Sequence, residues 1–177
     1  MREKTDLWHL WQGNTREEHV ELQAEVQDGQ QLLECLGHKH CQRQFRSLAC
    51  RAFPFYPYLD ARGRFLGLAE LADYSDRCWV LSNLGAVSSA YRQQFVSTFD
   101  RLFQLLPEAR VHYQGFSQMD REDYQDRKKE LPLLHRDGFD CYLIPEDERL
   151  RKVKAEDFPL HEPYASIRKL PFPGEEE

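Results

Sequence analysis

Two cysteines and two histidines fall within the short segment "CLGHKHC", residues 35–41. Zn²⁺ is bound tetrahedrally by thiolate sulfur and imidazole nitrogen. The candidate metal ligands are therefore Cys35, His38, His40 and Cys41. Structural zinc sites usually combine a close pair of ligands with a second pair further along the chain, and this spacing is different. The spacing therefore favours a buried Cys35 at the end of a strand or helix, followed by a polar turn, with a metal site as the alternative.

A basic run begins inside the same segment. Residues 38–51 contain several cationic side chains and no aspartate or glutamate. Cationic surroundings favour the thiolate form of a cysteine, so Cys41 is also a candidate nucleophile or redox centre. Catalysis by a cysteine requires in addition an oriented base and a site for the developing oxyanion. Neighbouring residues do not identify these groups, because catalytic partners usually meet through the fold.

The basic run supports a third hypothesis, an anion-binding site. Its candidate ligands are Arg43, Arg46 and Arg51, which could contact a phosphate, a nucleic-acid backbone or an acidic loop. The whole chain carries a formal net charge of −6, which disfavours non-specific binding to nucleic acid or to an anionic membrane. Pairing of these arginines with Asp and Glu side chains is therefore the favoured interpretation.

A cluster of carboxylates occurs in "MDREDYQD", where helical spacing places several acids on one face. Its members are Asp120, Glu122, Asp123 and Asp126. General acid catalysis needs a carboxyl group in an apolar setting that raises its pKa, and no such isolated pair can be recognised in the sequence. The pattern instead predicts a charged surface helix, whose carboxylates are candidates for contact with a basic partner protein.

A second candidate contact surface is the proline-interrupted aromatic segment "FPFYPY". Tyrosine and other aromatic side chains are enriched at binding hot spots. We therefore count Phe55, Tyr56 and Tyr58 among the candidate partner-binding residues, with packing in the core as the alternative. Because proline cannot donate to a sheet ladder, the segment is not expected to be a central strand.

The elements that position these residues can be partly predicted. Residues His19–Val26 alternate between apolar and polar side chains, which favours a half-buried strand turning at Asp28-Gly29. The alternative is a helix opened by a capping box from Thr15 to Glu18. A long amphipathic helix is predicted from the cap at Ser88 or Ser89 to Pro107.

The remaining predicted elements complete a sheet. A second helix is opened by Ser117 and Asp120. The predicted strands are Tyr58-Leu59 with Arg64–Leu68 as a hairpin, Cys78–Leu81, Arg110–Phe116, and the closing segments "FDCYLIP", "RLRKVKA" and "YASIRKL". Strand clusters mixed with two helices predict an α+β fold with a mainly antiparallel sheet.

The length of 177 residues predicts a single domain over residues 1–172, followed by a frayed acidic tail over 173–177. No export signal and no stretch of 18 apolar residues is present, so we expect a cytoplasmic protein with no membrane span. The five cysteines are expected to be reduced there.

No compact catalytic or cofactor-binding motif is recognised, so no cofactor is expected and a non-catalytic role is favoured. The preferred hypothesis is a domain that binds another protein, for example an acidic inhibitor, immunity-type or regulatory protein that covers a basic partner. The alternative is a metal- or thiol-dependent enzyme, or an anion-binding domain, centred on residues 35–41. The oligomeric state is left open.

Overall fold

The computed structural model describes residues 8–26, 31–75 and 78–158. The predicted α+β class with mainly antiparallel sheet is confirmed. The chain forms two compact units, residues 1–51 and 52–177, called here the N-terminal and C-terminal units. The prediction of one domain over residues 1–172 stays a prediction, and the predicted tail lies outside the described residues.

The N-terminal unit is built on a short antiparallel ribbon in which β1 pairs with β2. Two 3-10 turns, His38–His40 and Arg43–Phe45, follow the ribbon. The regular elements are β1 (Trp8–Leu10), α1 (Arg16–Glu25), β2 (Leu33–Cys35) and α2 (Leu48–Ala52), whose last residue is the first of the C-terminal unit.

The strand predicted over His19–Val26 is wrong, and the segment forms helix α1. Thr15 is its N-cap and accepts a hydrogen bond from the backbone N–H of Glu18 at 3.1 Å. The Glu18 carboxylate in turn accepts from the N–H of Asn14 at 2.8 Å. These two contacts give hydrogen-bond acceptors to backbone N–H groups at the start of the helix. The alternating apolar residues do not form a buried face, since Val20 is exposed. The predicted turn at 28-29 lies outside the described residues.

The C-terminal unit contains a five-stranded antiparallel sheet in the order β3-β4-β5-β6-β7, so each strand pairs with its sequence neighbours. Two long helices, α3 and α4, connect β4 to β5. The element bounds are β3 (Phe55–Leu59), β4 (Phe65–Glu70), α3 (Ser89–Leu105), α4 (Pro107–Asp126), β5 (Leu131–His135), β6 (Asp140–Ile144) and β7 (Arg149–Val153).

The β3-β4 hairpin and helix α3 confirm two of the predictions. Pro57 is accommodated because β3 lies at the edge of the sheet, where a missing N–H costs no ladder bond. In α3 the Ser88 hydroxyl accepts from the N–H of Tyr91 at 3.3 Å, and Phe95, Phe99 and Phe103 are buried. The closing strands β6 and β7 are also confirmed, whereas "YASIRKL" lies outside the described residues.

The strand predicted over Arg110–Phe116 is wrong, because α4 runs unbroken from Pro107. Pro107 ends α3 and occupies the first turn of α4, where its fixed φ and missing N–H are favourable. The strand predicted over Cys78–Leu81 is also wrong, since turns lead there into a 3-10 segment, Leu81–Ala86. Among the helices that the structure describes, none combines the length and apolar character needed to span a bilayer.

Candidate functional site

Helix α4 is fixed to the edge of the sheet by a buried serine. The Ser117 hydroxyl accepts from the backbone N–H of Leu59 at 2.9 Å and donates to the carbonyl of Tyr113 at 2.8 Å. Both Ser117 and Leu59 are fully buried. Leu59 is in the edge strand β3, so this hydroxyl gives a buried amide a hydrogen-bond acceptor.

The turn between β3 and β4 is held by the first half of α4. Arg110 donates from Nη1 to the carbonyl of Gly63 at 2.7 Å. Gln114 donates from Nε2 to the carbonyl of Ala61 at 3.0 Å. These contacts turn the inner side of the helix toward the tip of the hairpin.

The second arginine of α4 is also directed into the unit. Arg121 donates from Nη1 to the Tyr58 hydroxyl at 3.0 Å and to Glu148 Oε1 at 2.6 Å. Glu148 also accepts from the N–H of Ala61 at 3.0 Å. Burial raises the pKa of Tyr58 to about 12, so its hydroxyl is neutral near pH 7 and can accept this bond. The positive charges of α4 are therefore used inside the unit.

Two carboxylates lie close to the core beside α4, and each receives a hydrogen bond from a tyrosine. Tyr56 donates to Asp120 at 2.6 Å, and Tyr124 donates to Glu70 at 2.6 Å. Burial raises the pKa of Asp120 and of Glu70, and the charge of Asp120 raises the Glu70 pKa further. No isolated carboxyl pair in an apolar setting is recognised in the sequence, and in the structure Asp120 is a partly buried carboxylate bonded to Tyr56. Asp120 belongs to a set of residues at helical spacing that begins with Tyr113. Because Tyr113 lies in the segment predicted as a strand, this set could not be recognised in the sequence.

The outer face of α4 is defined here by the residues exposed along its length after the first turn. Within α4, all of which is described, no exposed side chain is lysine or arginine. The face combines apolar and acidic groups, with Val111 71% and Met119 67% exposed. Its members are Val111, His112, Gly115, Gln118, Met119, Glu122, Gln125 and Asp126.

The four acids predicted to bind a partner are separated by the helix. Glu122 and Asp126 are exposed on the outer face. Asp123 is half-buried and its carboxylate lies 3.0 Å from Nε of Arg127. Asp120 belongs to the tyrosine-bonded pair on the inner side. Only Glu122 and Asp126 are thus fully presented to solvent.

The three aromatic residues predicted to contact a partner are instead in the core. Phe55 is 3% exposed, Tyr56 4% and Tyr58 0%. Tyr56 packs edge-on against Phe116 of α4, with ring centroids 4.6 Å apart. These three side chains cannot contact a partner while the unit is folded, because every residue of the edge strand β3 is buried. We leave them out of the functional proposal.

The cysteine- and histidine-rich segment lies in the N-terminal unit. Cys35, Cys41 and Cys50 are exposed and line one small pocket together with His40. Among the described residues, no group of three or more His, Cys, Asp or Glu side chains is arranged to hold a metal ion. The side chain of His38 lies outside the described part of the chain.

Two of the three arginines predicted to bind an anion contact their own segment. Arg46 donates from Nε to Cys41 Sγ at 3.1 Å. Arg51 donates to the carbonyl of Arg46 at 3.1 Å, and to those of Arg43 and Gln44 at 3.2 Å. The guanidinium of Arg51 thus holds the backbone turn that presents Arg46 to the thiol.

Comparisons with protein-family models, with curated proteins and with solved structures gave no match to this chain. The class that the structure itself defines is an α+β protein whose long helix α4 directs Arg110 and Arg121 inward and exposes Glu122 and Asp126. The function is therefore inferred from these contacts.

Proposed function

We propose that this protein is a non-catalytic binding protein, and that the outer face of α4 binds a basic segment of another protein. The observation that carries the proposal is the division of charge on α4. Arg110 and Arg121 are engaged with the sheet and its turn, while Glu122 and Asp126 are exposed. Such a face attracts a cationic partner and repels an acidic one.

The face also specifies a partner with apolar side chains. Val111, Gly115 and Met119 follow one another at i, i+4 spacing and lie on the same side as the two acids. A Cβ added at Gly115 would meet no atom within 4 Å, so the middle of the face is open to close approach. From Val111 to Asp126 the face is about 22 Å long, which suits an amphipathic segment carrying apolar residues followed by Lys or Arg.

The fixed position of α4 supports this function. A binding helix that is already held in place loses little further conformational entropy on association. Ser117, Gln114 and the two inward arginines supply that fixation through polar contacts to the β3-β4 hairpin. An inhibitor, immunity-type or regulatory protein that covers a cationic site on its target would use such a face. We retain a cytoplasmic location as part of the same proposal.

The test begins by identifying what contacts the face. A photo-crosslinking amino acid replaces Met119 in the full chain, and a control chain carries it at Gln94, which is exposed on α3. The protein crosslinked only through position 119 is then purified. Its affinity for the wild-type chain is measured by titration calorimetry at two salt concentrations.

Charge reversal then tests the proposed contact. We expect the double variant Glu122→Lys, Asp126→Lys to weaken binding at least about tenfold, because like charges would face each other. Glu146→Lys, a charge reversal at an exposed turn of the same unit, is the matched control and should change the affinity less than about twofold. Equal affinities for the double variant and the wild type, or an affinity that does not fall with salt, would overturn the proposal.

A further inference from the structure

A second feature, independent of the proposed binding face, lies in the N-terminal unit. Cys35, Cys41 and Cys50 line one pocket of about 30 Å³. Trp8, His40 and Arg46 also line it, and the described lining contains no Asp or Glu. A space of this size admits a molecule like water. Hydrogen peroxide is only slightly larger.

Arg46 is directed at one of these thiols. Its Nε donates to Cys41 Sγ at 3.1 Å, and this hydrogen bond raises the pKa of the Arg46 guanidinium. A cation that donates to sulfur stabilises the thiolate, which is the nucleophilic form of cysteine. The geometry therefore distinguishes Cys41 from the other exposed thiols by a specific contact.

The arginine is held in that position from two sides. Its own carbonyl accepts from Nε of Arg51 at 3.1 Å. The carbonyl of the preceding residue, Phe45, accepts from the Trp8 indole at 3.1 Å. The contact between Arg46 and Cys41 is thus supported by the backbone rather than by one flexible side chain alone.

Cys50 is the thiol that can complete the chemistry. It lines the same pocket, and together with Cys41 it raises the pKa of the Arg46 guanidinium. Its backbone N–H donates to the Ser47 hydroxyl at 3.2 Å at the start of α2. A thiol close to an oxidisable thiolate acts as the resolving cysteine in redox sensors.

We propose that Cys41 is a site of reversible oxidation by hydroperoxides that is resolved as a disulfide with Cys50. The Cys41 thiolate attacks one oxygen of hydrogen peroxide, the O–O bond breaks, and hydroxide leaves, which gives a sulfenic acid. The Cys50 sulfur then attacks the Cys41 sulfur, the S–O bond breaks, and the hydroxyl leaves as water with the Cys50 proton. One peroxide is reduced for each disulfide formed, and a dithiol reductant returns both cysteines to thiols while it is itself oxidised to a disulfide.

The chain provides its own control for the experiment. Cys141 is fully buried in β6, and burial raises the pKa of its thiol to about 12. The reduced full-length protein is treated with hydrogen peroxide, and the state of each cysteine is followed by differential alkylation and mass spectrometry. We expect Cys41 to be oxidised at least about tenfold faster than Cys35, Cys141 to remain reduced, and a peptide joining Cys41 to Cys50 to appear.

Substitutions separate the roles. Cys50→Ser should stop the reaction at a sulfenic acid that dimedone traps on Cys41. Arg46→Gln should slow oxidation of Cys41 severalfold, while Arg43→Gln, which removes a charge from an exposed side chain in the same turn, should have little effect. Circular dichroism confirms that each variant is folded. Oxidation of Cys41 no faster than Cys35, a disulfide between Cys41 and Cys35, or equal rates in the two arginine variants would overturn the proposal.

Discussion

Replacing Ser117 with alanine tests whether α4 is held by the contact on which the binding face depends. The hydroxyl accepts from the N–H of Leu59 and donates to the carbonyl of Tyr113. Because both Ser117 and Leu59 are fully buried, water cannot replace the lost acceptor without rearrangement. The substitution therefore leaves a buried edge-strand amide without its partner.

The expected magnitude follows from this geometry. An unsatisfied buried donor costs about 1–3 kcal/mol. Alanine at a helix interior position recovers roughly 0.5 kcal/mol through its higher helix propensity. Ser117→Ala should therefore lower the free energy of unfolding by about 0.5–2.5 kcal/mol, which corresponds to a fall of roughly 1–10 °C in the melting temperature.

The assay is urea unfolding followed by far-ultraviolet circular dichroism, combined with amide hydrogen exchange at Leu59. The matched control is Ser97→Ala in α3, because the Ser97 hydroxyl also donates within its helix, to the Gln94 carbonyl at 3.0 Å, but is exposed. That change should stay within about 0.5 kcal/mol. If Ser117→Ala is as stable as the control and the Leu59 amide stays protected, the Ser117 contact does not hold the helix.

Three further substitutions test other contacts of the C-terminal unit. Because burial raises the pKa of Glu70 and of Asp120, these two carboxyl groups bind protons more tightly in the folded state, so their contribution to stability falls as pH rises above about 4. The gain in unfolding free energy from Glu70→Gln should therefore grow between pH 4 and pH 7 in urea titrations, and a gain independent of pH would contradict this. Gly67→Ala should destabilise by more than about 3 kcal/mol or prevent folding, because its Cβ would overlap the Leu134 carbonyl oxygen. Gly115→Ala should raise the melting temperature by stabilising α4 by up to about 1 kcal/mol, since its Cβ meets open space, and a lower value would show that this position is not open.

The parts of the fold that could be predicted are those in which local chemistry and tertiary packing agree. In α3 the cap at Ser88 and the regularly spaced Phe95, Phe99 and Phe103 all specify the same helix. The hairpin at Asp60 was predictable because turn residues separate two apolar runs. Its carboxylate accepts from the N–H of Arg64 at 2.7 Å, which is local turn chemistry.

Two of the three wrong strand predictions lie in segments that form helices, α1 after Thr15 and α4 from Pro107. The third, over Cys78–Leu81, lies where turns lead into a 3-10 segment. In α1 the alternation over His19–Val26 suggested a strand, but the segment is a helix whose N-cap, Thr15, accepts from the N–H of Glu18. In α4 the strand predicted over Arg110–Phe116 hid a helix that starts at Pro107. A proline that ends one helix can also begin the next, and sequence alone does not tell these cases apart.

The second error also hid the chemistry of the site. Tyr113, Ser117, Asp120 and Tyr124 recur at intervals of three or four residues, which is the spacing of one helix side. With the first of them assigned to a strand, Asp120 could not be recognised as part of an inward stripe. The outward acids were found because Glu122 and Asp126 lie in the part of the helix that was correctly predicted.

Solubility alone does not explain the arrangement of charge on α4. A helix that only needed solubility could present its arginines to water, where they would balance the acids at i, i+4 spacing. Instead Arg121 is directed into the unit to meet Glu148 and the Tyr58 hydroxyl. This inward use of positive charge fixes the helix and leaves no lysine or arginine exposed within α4 itself, where Glu122 and Asp126 are exposed. Arg127, just past the end of the helix, pairs with Asp123. One structural feature thus produces both the rigidity and the negative potential that binding of a basic segment requires.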